Sequence, residues 1–264
     1  MKYKIISMDF DGTLLTSDKK VTENTKNILK QYKDNGFIIV GVTARNLSSV
    51  KNVLDINMFD YIILNNGAFI LDARIDKITS FGVINKEDLD KIQNIINDTS
   101  VKFEYASLNK YYMLNSNESN GFRIGINSME EIDEEIVRMN VYFKTEKQLG
   151  YYKNLIQNSI KTVNVVSMKD TDNLNSKVWL SINEKNTNKL TTLTKLANNL
   201  GIKLSEIIFF GDGENDLLLL ENVGIGVAMG NAIEVVKEKS KAIALSNDEE
   251  GIYNYLINNI VIKK

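Results

Sequence analysis

The chain has 264 residues, 43% hydrophobic and 25% charged, with a formal net charge of −2, an ordinary globular make-up that suits one large domain or two medium ones. It contains no Cys and no His, which excludes disulfides, zinc–thiolate centres, cysteine nucleophiles and Ser-His-Asp triads, and leaves carboxylates, Lys, hydroxyls, amides and a hard cation to carry any chemistry. Near-neutral charge with dispersed lysines points away from nucleic acid and membrane surfaces, and the absence of a signal-like segment or a run of roughly 20 apolar residues leads to the expectation of a cytoplasmic protein.

In chain order, the β-branched run 3–8 ("YKIISM") predicts a strand. Residues 22–36 predict a helix, with Thr22 as N-cap, Gly36 as stop and Ile28, Leu29 and Tyr32 on one face. A second strand ("FIIVGV"), a helix over 46–57 and a third strand ("YIILNNG") follow. This alternation means parallel strands joined by crossover helices. From about Phe81 to Leu180 the grammar changes. "VKFEYASL" and "KYYMLN", joined by a short connection, predict antiparallel pairing, with helices over 86–98 and 128–139 and strands at "VYFK" and "KTVNVVSM". Helix–strand alternation resumes with "TNKLTTLTKLANNLG", "EIIFFG", "ENDLLLLENV", "GIGVAM", "NAIEVVKEKS" and "KAIALS", closing on a helix over 248–260. The fold class is therefore α/β, a doubly wound, mostly parallel Rossmann-like core over 1–81 and 184–264, interrupted by a smaller α+β domain over 82–183.

Open α/β sheets bind ligands outside the carboxyl ends of their strands. Asp9 ends the first predicted strand, Thr43 the second, Asn65-Asn66-Gly67 the third and Asp212 a later one, while Lys189 opens the helix leading into the Asp212 strand. The pair Asp9/Asp11 is not the start of an EF-hand, whose fifth and twelfth positions would fall on Thr13 and Lys20. "GIGVAMG" lacks the third glycine of a dinucleotide fingerprint and reads as packing turns. Asn65 and Asn66 suit a turn as well as a substrate contact.

"DFDGTL" at 9–14, "VTAR" around Thr43, Lys189 and "GDGEND" at 211–216, together with "NNGA" at 65–68 and "VAMGNA" at 227–232, resemble in order the motifs of the haloacid dehalogenase superfamily, specifically its Cof-like phosphatases with an inserted cap. That resemblance implies a Mg²⁺-dependent phosphatase acting on small phosphorylated metabolites through an aspartyl-phosphate. Asp9 is then the nucleophile, and Asp11 the acid that protonates the leaving oxygen and later takes a proton from water. Asp9, the backbone carbonyl of Asp11, Asp212 and Asp216 are the implied metal ligands. The Phe10 N–H, the Thr43 hydroxyl, the Ala44 N–H, Lys189 and Asn215 form the implied phosphate cradle, with Arg45 and Asn66 as possible substrate contacts. Residues i and i+2 of an extended chain point the same way, which suits Asp11 to work beside Asp9. That role calls for an Asp11 carboxyl half protonated at about pH 6.5, well above the ordinary range. Two positions depart from the family pattern: Ala44 stands where Gly is usual, and Leu190 follows Lys189 where Gly is common. A phosphomutase of the same fold and a non-catalytic phosphometabolite sensor are the alternatives.

Overall fold

The computed structural model describes residues 2–116, 119, 121–169 and 178–262. Its elements in chain order begin with β1 (Ile5–Met8), α1 (Glu23–Asp34), β2 (Ile38–Val42), α2 (Leu47–Lys51), β3 (Tyr61–Leu64), β4 (Phe69–Asp72) and β5 (Lys77–Ser80). Then come α3 (Lys86–Ile95), β6 (Lys102–Ala106), β7 (Tyr111–Leu114), β8 (Arg123–Ile126), β9 (Arg138–Phe143), α4 (Glu146–Ser159), β10 (Val163–Lys169) and β11 (Val178–Glu184). The chain closes with α5 (Lys189–Asn199), β12 (Ile207–Gly211), α6 (Leu217–Asn222), β13 (Ile225–Ala228), α7 (Glu234–Lys239), β14 (Ala242–Ile243) and α8 (Gly251–Asn259). Among the described residues, no helix is long and apolar enough to cross a membrane.

Two compact units result, one of Met1–Arg45, Val50–Thr79 and Asn188–Lys264, the other of Asn46–Ser49 and Ser80–Thr187. These boundaries differ by a few residues from the division at 81/82 and 183/184. Both connecting stretches bond within the second unit, the Thr187 hydroxyl donating to the Phe81 carbonyl (3.4 Å) and the Lys185 N–H to the Thr162 carbonyl (2.9 Å).

The first unit carries a sheet in the order β14-β13-β12-β1-β2-β3-β4-β5. Every pairing from β14 to β3 is parallel, and β4 then runs back along β3. All four residues of β1 and of β3 are buried, as expected for strands covered on both faces. The order matters for function: β1 lies at the centre, β2 leaves it on one side and β12 on the other. That is the switch point where carboxyl-end loops diverge and leave a crevice. Helix α1 starts where the Thr22 side chain accepts from the Thr25 N–H, and its Tyr32 hydroxyl donates to the Leu256 and Ile260 carbonyls, tying α1 to α8.

The second unit has a six-stranded sheet ordered β10-β11-β9-β6-β7-β8, antiparallel except for the parallel pair β7/β8. One of its faces supplies Tyr105, Met139, Val141, Leu180 and Ile182 to a core completed by Ile92 and Ile156 of the helices.

Two predicted helices are corrected. The helix expected over 128–139 is a single 3₁₀ turn, Met129–Glu131, with Ser128 and Glu131 capping each other, followed by extended chain into β9. Its carboxylates would repel at Glu130/Glu134 and Glu131/Glu135, four residues apart. Two find better partners elsewhere: Asp133 accepts from Lys110 (2.8 Å) and from Tyr112, and Glu134 from the Ser107 hydroxyl (2.8 Å) and the Asn109 N–H (3.1 Å). The helix expected over 46–57 stops at Lys51, and a 3₁₀ turn capped by Asp55 begins at Ile56.

Candidate active site

Strand β1 delivers Asp9, whose N–H still bonds the Phe210 carbonyl of β12 (2.9 Å) while its carboxylate has passed beyond the strand end. Strand β12 delivers Asp212 in the same way, and the turn into α6 delivers Asp216. Helix α5 begins at Lys189 because Asn188 caps it, the Asn188 Oδ1 accepting from the Thr191 N–H (2.9 Å) and the Thr191 hydroxyl accepting from the Asn188 N–H (3.1 Å). Lys189 Nζ then donates to Asp9 Oδ1 (2.6 Å) and Asp216 Oδ1 (2.8 Å). All three residues are buried, at 7% exposure for Asp9, 2% for Lys189 and 1% for Asp216. Oxygens of Asp9, Asp212 and Asp216 lie within 4.8 Å of one another.

The electrostatics follow from burying three carboxylates against one ammonium. Burial raises the Asp9 carboxyl above its ordinary range, Lys189 pulls it back, and the charges of Asp216 and Asp212 push it up again. Burial also raises Asp212, the Thr13 hydrogen bond opposes it, and Asp216 adds to the rise. For Lys189, burial works against the ammonium, but the Asp9 and Asp216 carboxylates outweigh it and hold it above its usual value. The cluster carries more negative charge than Lys189 neutralises. Its donors are all hard oxygens, so the residues present fit a small divalent cation such as Mg²⁺.

The Asp11 carboxyl points to different partners. Arg45 grips it in a fork, Nε to Oδ2 at 2.6 Å and Nη2 to Oδ1 at 2.7 Å, and Lys19 Nζ adds a contact to Oδ1 at 2.8 Å. The Arg45 hydrogen bond is the main reason this carboxyl is lowered to about 2 despite partial burial. The expectation of an Asp11 carboxyl raised toward neutrality is therefore corrected for this state of the protein. The motif places Asp11 beside Asp9, but the loops bearing Arg45 and Lys19 set its charge.

The remaining predicted residues stand as follows. Thr43 is buried, and its hydroxyl accepts from the Arg45 N–H (3.1 Å). Ala44 is half-buried, and Asn215 is exposed on the turn after β12. Phe10 sends its ring into the core against Phe59, 5.3 Å between centroids. Asn65 and Asn66 take positive φ (49° and 56°), which Asn tolerates, and their N–H groups bond the Arg45 and Thr43 carbonyls (both 2.9 Å), pinning the two loops together. Asn66 Oδ1 is buried without a hydrogen bond among the described residues.

Sequence reasoning missed three participants. Thr13 donates to Asp212 Oδ1 (2.6 Å) and stands inside the quoted "DFDGTL", so its signal was present. Gly12 (φ +76°) leaves room for Asp212, because a Cβ there would lie 2.3 Å from Asp212 Oδ2. Its carbonyl accepts from Asn231 Nδ2 (2.8 Å), which gives "VAMGNA" a structural task. Lys19 carries no sequence signal at all.

Residues 6–256 match the haloacid dehalogenase-like hydrolases. The chain is 27% identical over 271 residues to a Bacillus subtilis enzyme, the 5-amino-6-(5-phospho-D-ribitylamino)uracil phosphatase YitU, with 96% of each chain covered. It is also 27% identical over 288 residues to the phosphatase YwpJ of Bacillus subtilis, covering 94% of this chain and 97% of that one. Among solved structures, a haloacid dehalogenase-like hydrolase from Bacteroides thetaiotaomicron shares the fold with a TM-score of 0.82 at 24% identity, over 97% of this chain and 99% of the other. The aspartates at the ends of the central strands, the buried lysine and the match over nearly the full length lead to one assignment: the chain belongs to the haloacid dehalogenase-like hydrolases and is an enzyme of their phosphatase class.

Proposed function

We propose that this phosphatase hydrolyses monoesters of small phosphorylated metabolites, sugar phosphates or similar, with Mg²⁺ and through an aspartyl-phosphate on Asp9. The supporting observation is the buried cluster in which Lys189 bridges Asp9 and Asp216 while Asp212 stands within reach of both. Asp9, Asp212 and Asp216 would hold the ion, with the Asp11 carbonyl as a further ligand. When bound, Mg²⁺ supplies positive charge between two anions that otherwise repel, the Asp9 carboxylate and the phosphate dianion.

An Asp9 oxygen attacks phosphorus in line, the bond to the leaving oxygen breaks, and its electron pair takes a proton from the Asp11 carboxyl. Water then attacks phosphorus, gives a proton to Asp11, and the bond to Asp9 breaks to release inorganic phosphate. Phe10 N–H, the Thr43 hydroxyl, Ala44 N–H, Lys189 and Asn215 hold the phosphoryl oxygens, and Arg45 and Asn66 contact the substrate. Arg45 and Lys19 keep Asp11 ionised in the present arrangement. A phosphate dianion is a stronger partner for both cations than one carboxylate, so its arrival frees Asp11 to accept a proton. The relative that hydrolyses a phosphoribitylamino-uracil makes phosphorylated polyols reasonable substrates.

The test is phosphate release from a panel of phosphorylated metabolites, with Mg²⁺ and with chelator, for the native protein and Asp9→Asn. The proposal expects release only with Mg²⁺ and loss to background in the variant. Full activity in Asp9→Asn would refute the covalent mechanism, and conversion of a sugar phosphate to its isomer without free phosphate would identify a mutase.

A further inference from the structure

Among the described residues the two sheets end in four edge strands, and three of these are blunted. β14 has two residues and follows Lys241, β5 has four and opens with Lys77, and β8 has four and opens with Arg123. Short length and basic residues keep an edge from pairing with another chain. β10, at the edge of the second unit's sheet, has neither protection. It runs for seven residues, Val163–Lys169, in unbroken register with β11, and carries no charge and no proline before Lys169. That lysine is itself paired with Glu146 of α4, Nζ to Oε1 at 2.6 Å.

One hydrogen bond locates the open groups. The Lys185 N–H donates to the Thr162 carbonyl (2.9 Å), so the Thr162 backbone faces β11. Successive residues of an antiparallel ladder face the partner strand and face away from it in turn. Asn164, Val166 and Met168 therefore bond toward β11, while the N–H and C=O groups of Val163, Val165 and Ser167 point out from the sheet edge. None of these outward groups has a hydrogen-bond partner among the described residues. The side chains of Val163 and Val165 enter the core, and those of Val166 and Met168, each residue 41% exposed, lie on the other face.

We propose that β10 pairs antiparallel with β10 of a second copy of this chain, about a two-fold axis through Val166. This register matches the edge to itself. Val165 faces Ser167 of the second copy and Val163 faces Lys169, each pair exchanging two hydrogen bonds. Val166 faces its own equivalent with Met168 diagonal to it, so the two exposed side chains cover each other across the axis. Charge agrees with the same register. Glu146 stands beside Lys169, which comes level with Val163 of the second copy, two residues from the exposed Lys161 there. Each end of the seam thus brings a carboxylate near an ammonium. Helix α4 supplies a further sign. Gly150 lies one turn from both Glu146 and Lys153, on the side from which their side chains reach Lys169 and Ser167 of β10 (2.6 and 3.0 Å). Glycine weakens a helix interior, and here a Cβ would meet nothing within 4 Å. Its small size leaves room for α4 of the second copy. The pairing uses the second unit alone and is independent of the phosphatase chemistry.

The test is sedimentation equilibrium of the native protein, Val166→Lys and Ser167→Pro at concentrations up to about 100 µM. Expected is a native species of twice the 29.9 kDa chain mass, with a dissociation constant raised about tenfold or more in each variant. Val166→Lys sets two like charges against each other on the axis, and Ser167→Pro removes an outward N–H that β11 does not use. The chain has no cysteine, so the register can be read by introducing one. Facing residues at a non-hydrogen-bonded position have Cα atoms about 4.5 Å apart, within the span of a disulfide. Under mild oxidation Val166→Cys should link two chains, whereas Met168→Cys, about 13 Å from its equivalent, should not. A native protein that stays monomeric overturns the proposal, even if its edge accepts an extended peptide of another protein. Association unchanged in both variants, linkage at neither cysteine, or equal linkage at both would also overturn it. Circular dichroism checks the fold of each variant, and Ser167→Pro with the two cysteine variants decides if Val166→Lys does not fold.

Discussion

Gly12 shows how closely the catalytic loops are fitted. Its positive φ is one that L-residues adopt at a cost, and the space its missing side chain leaves is filled by the Asp212 carboxylate. Gly12→Ala should therefore displace Asp212 more than it unfolds the chain. The expected outcome is a Mg²⁺ requirement raised by about tenfold or more, as for other changes that disturb the support of a metal ligand, read by titrating Mg²⁺ against phosphate release. Lys189 is the other sensitive position. Removing one partner of a buried ion pair costs about 3–5 kcal/mol, because the remaining charge stays buried. Lys189→Met leaves Asp9 and Asp216 facing each other, so urea unfolding without Mg²⁺ should show a loss of that order. A loss under about 1 kcal/mol would mean that the pair contributes no more than a surface bridge.

Helix α5 connects local sequence to the candidate active site. Its capping box, Asn188 with Thr191, makes Lys189 the first helical residue and so directs its side chain toward the ends of β1 and β12. Losing an N-cap costs about 1 kcal/mol. Asn188→Ala should lower unfolding free energy by about that amount while reducing kcat more than KM, since in the proposed reaction Lys189 holds the reacting phosphoryl and not the leaving group. Unaltered kcat would show that packing of α5, not its cap, positions Lys189. The acidic stretch 130–135 is a contrasting case. Its spacing permits a helix, but its carboxylates accept from Lys110, Tyr112, Ser107 and Asn109, partners at least 20 residues away in the chain, and the backbone follows them. Element type was legible where an apolar period and a cap agree, as in α1, and illegible where charges decide.

At the scale of the molecule, a cation held by the proposed cluster would be linked to the fold. A ligand that binds only the folded state stabilises it, by about 2.7 kcal/mol at a hundred times its Kd. For a chain of this size each kcal/mol moves Tm by about 2–4 °C. Saturating Mg²⁺ should thus raise Tm by several degrees, chelator should reverse the rise, and Asp212→Asn should reduce it; equal Tm with and without Mg²⁺ would speak against the carboxylate cluster as a metal site. By itself, the sequence determined the α/β class, the inserted second unit and the aspartates and lysine to examine. Strand period, helix caps and motif order are all written within short windows of chain. Only the tertiary structure decided that Lys189 bridges Asp9 and Asp216, residues 180 and 27 positions from it. It alone showed Asp11 held ionised by Arg45 and Lys19. Charge state and hydrogen-bond direction belong to the neighbours of a group, and sheet order chooses those neighbours from distant parts of the chain.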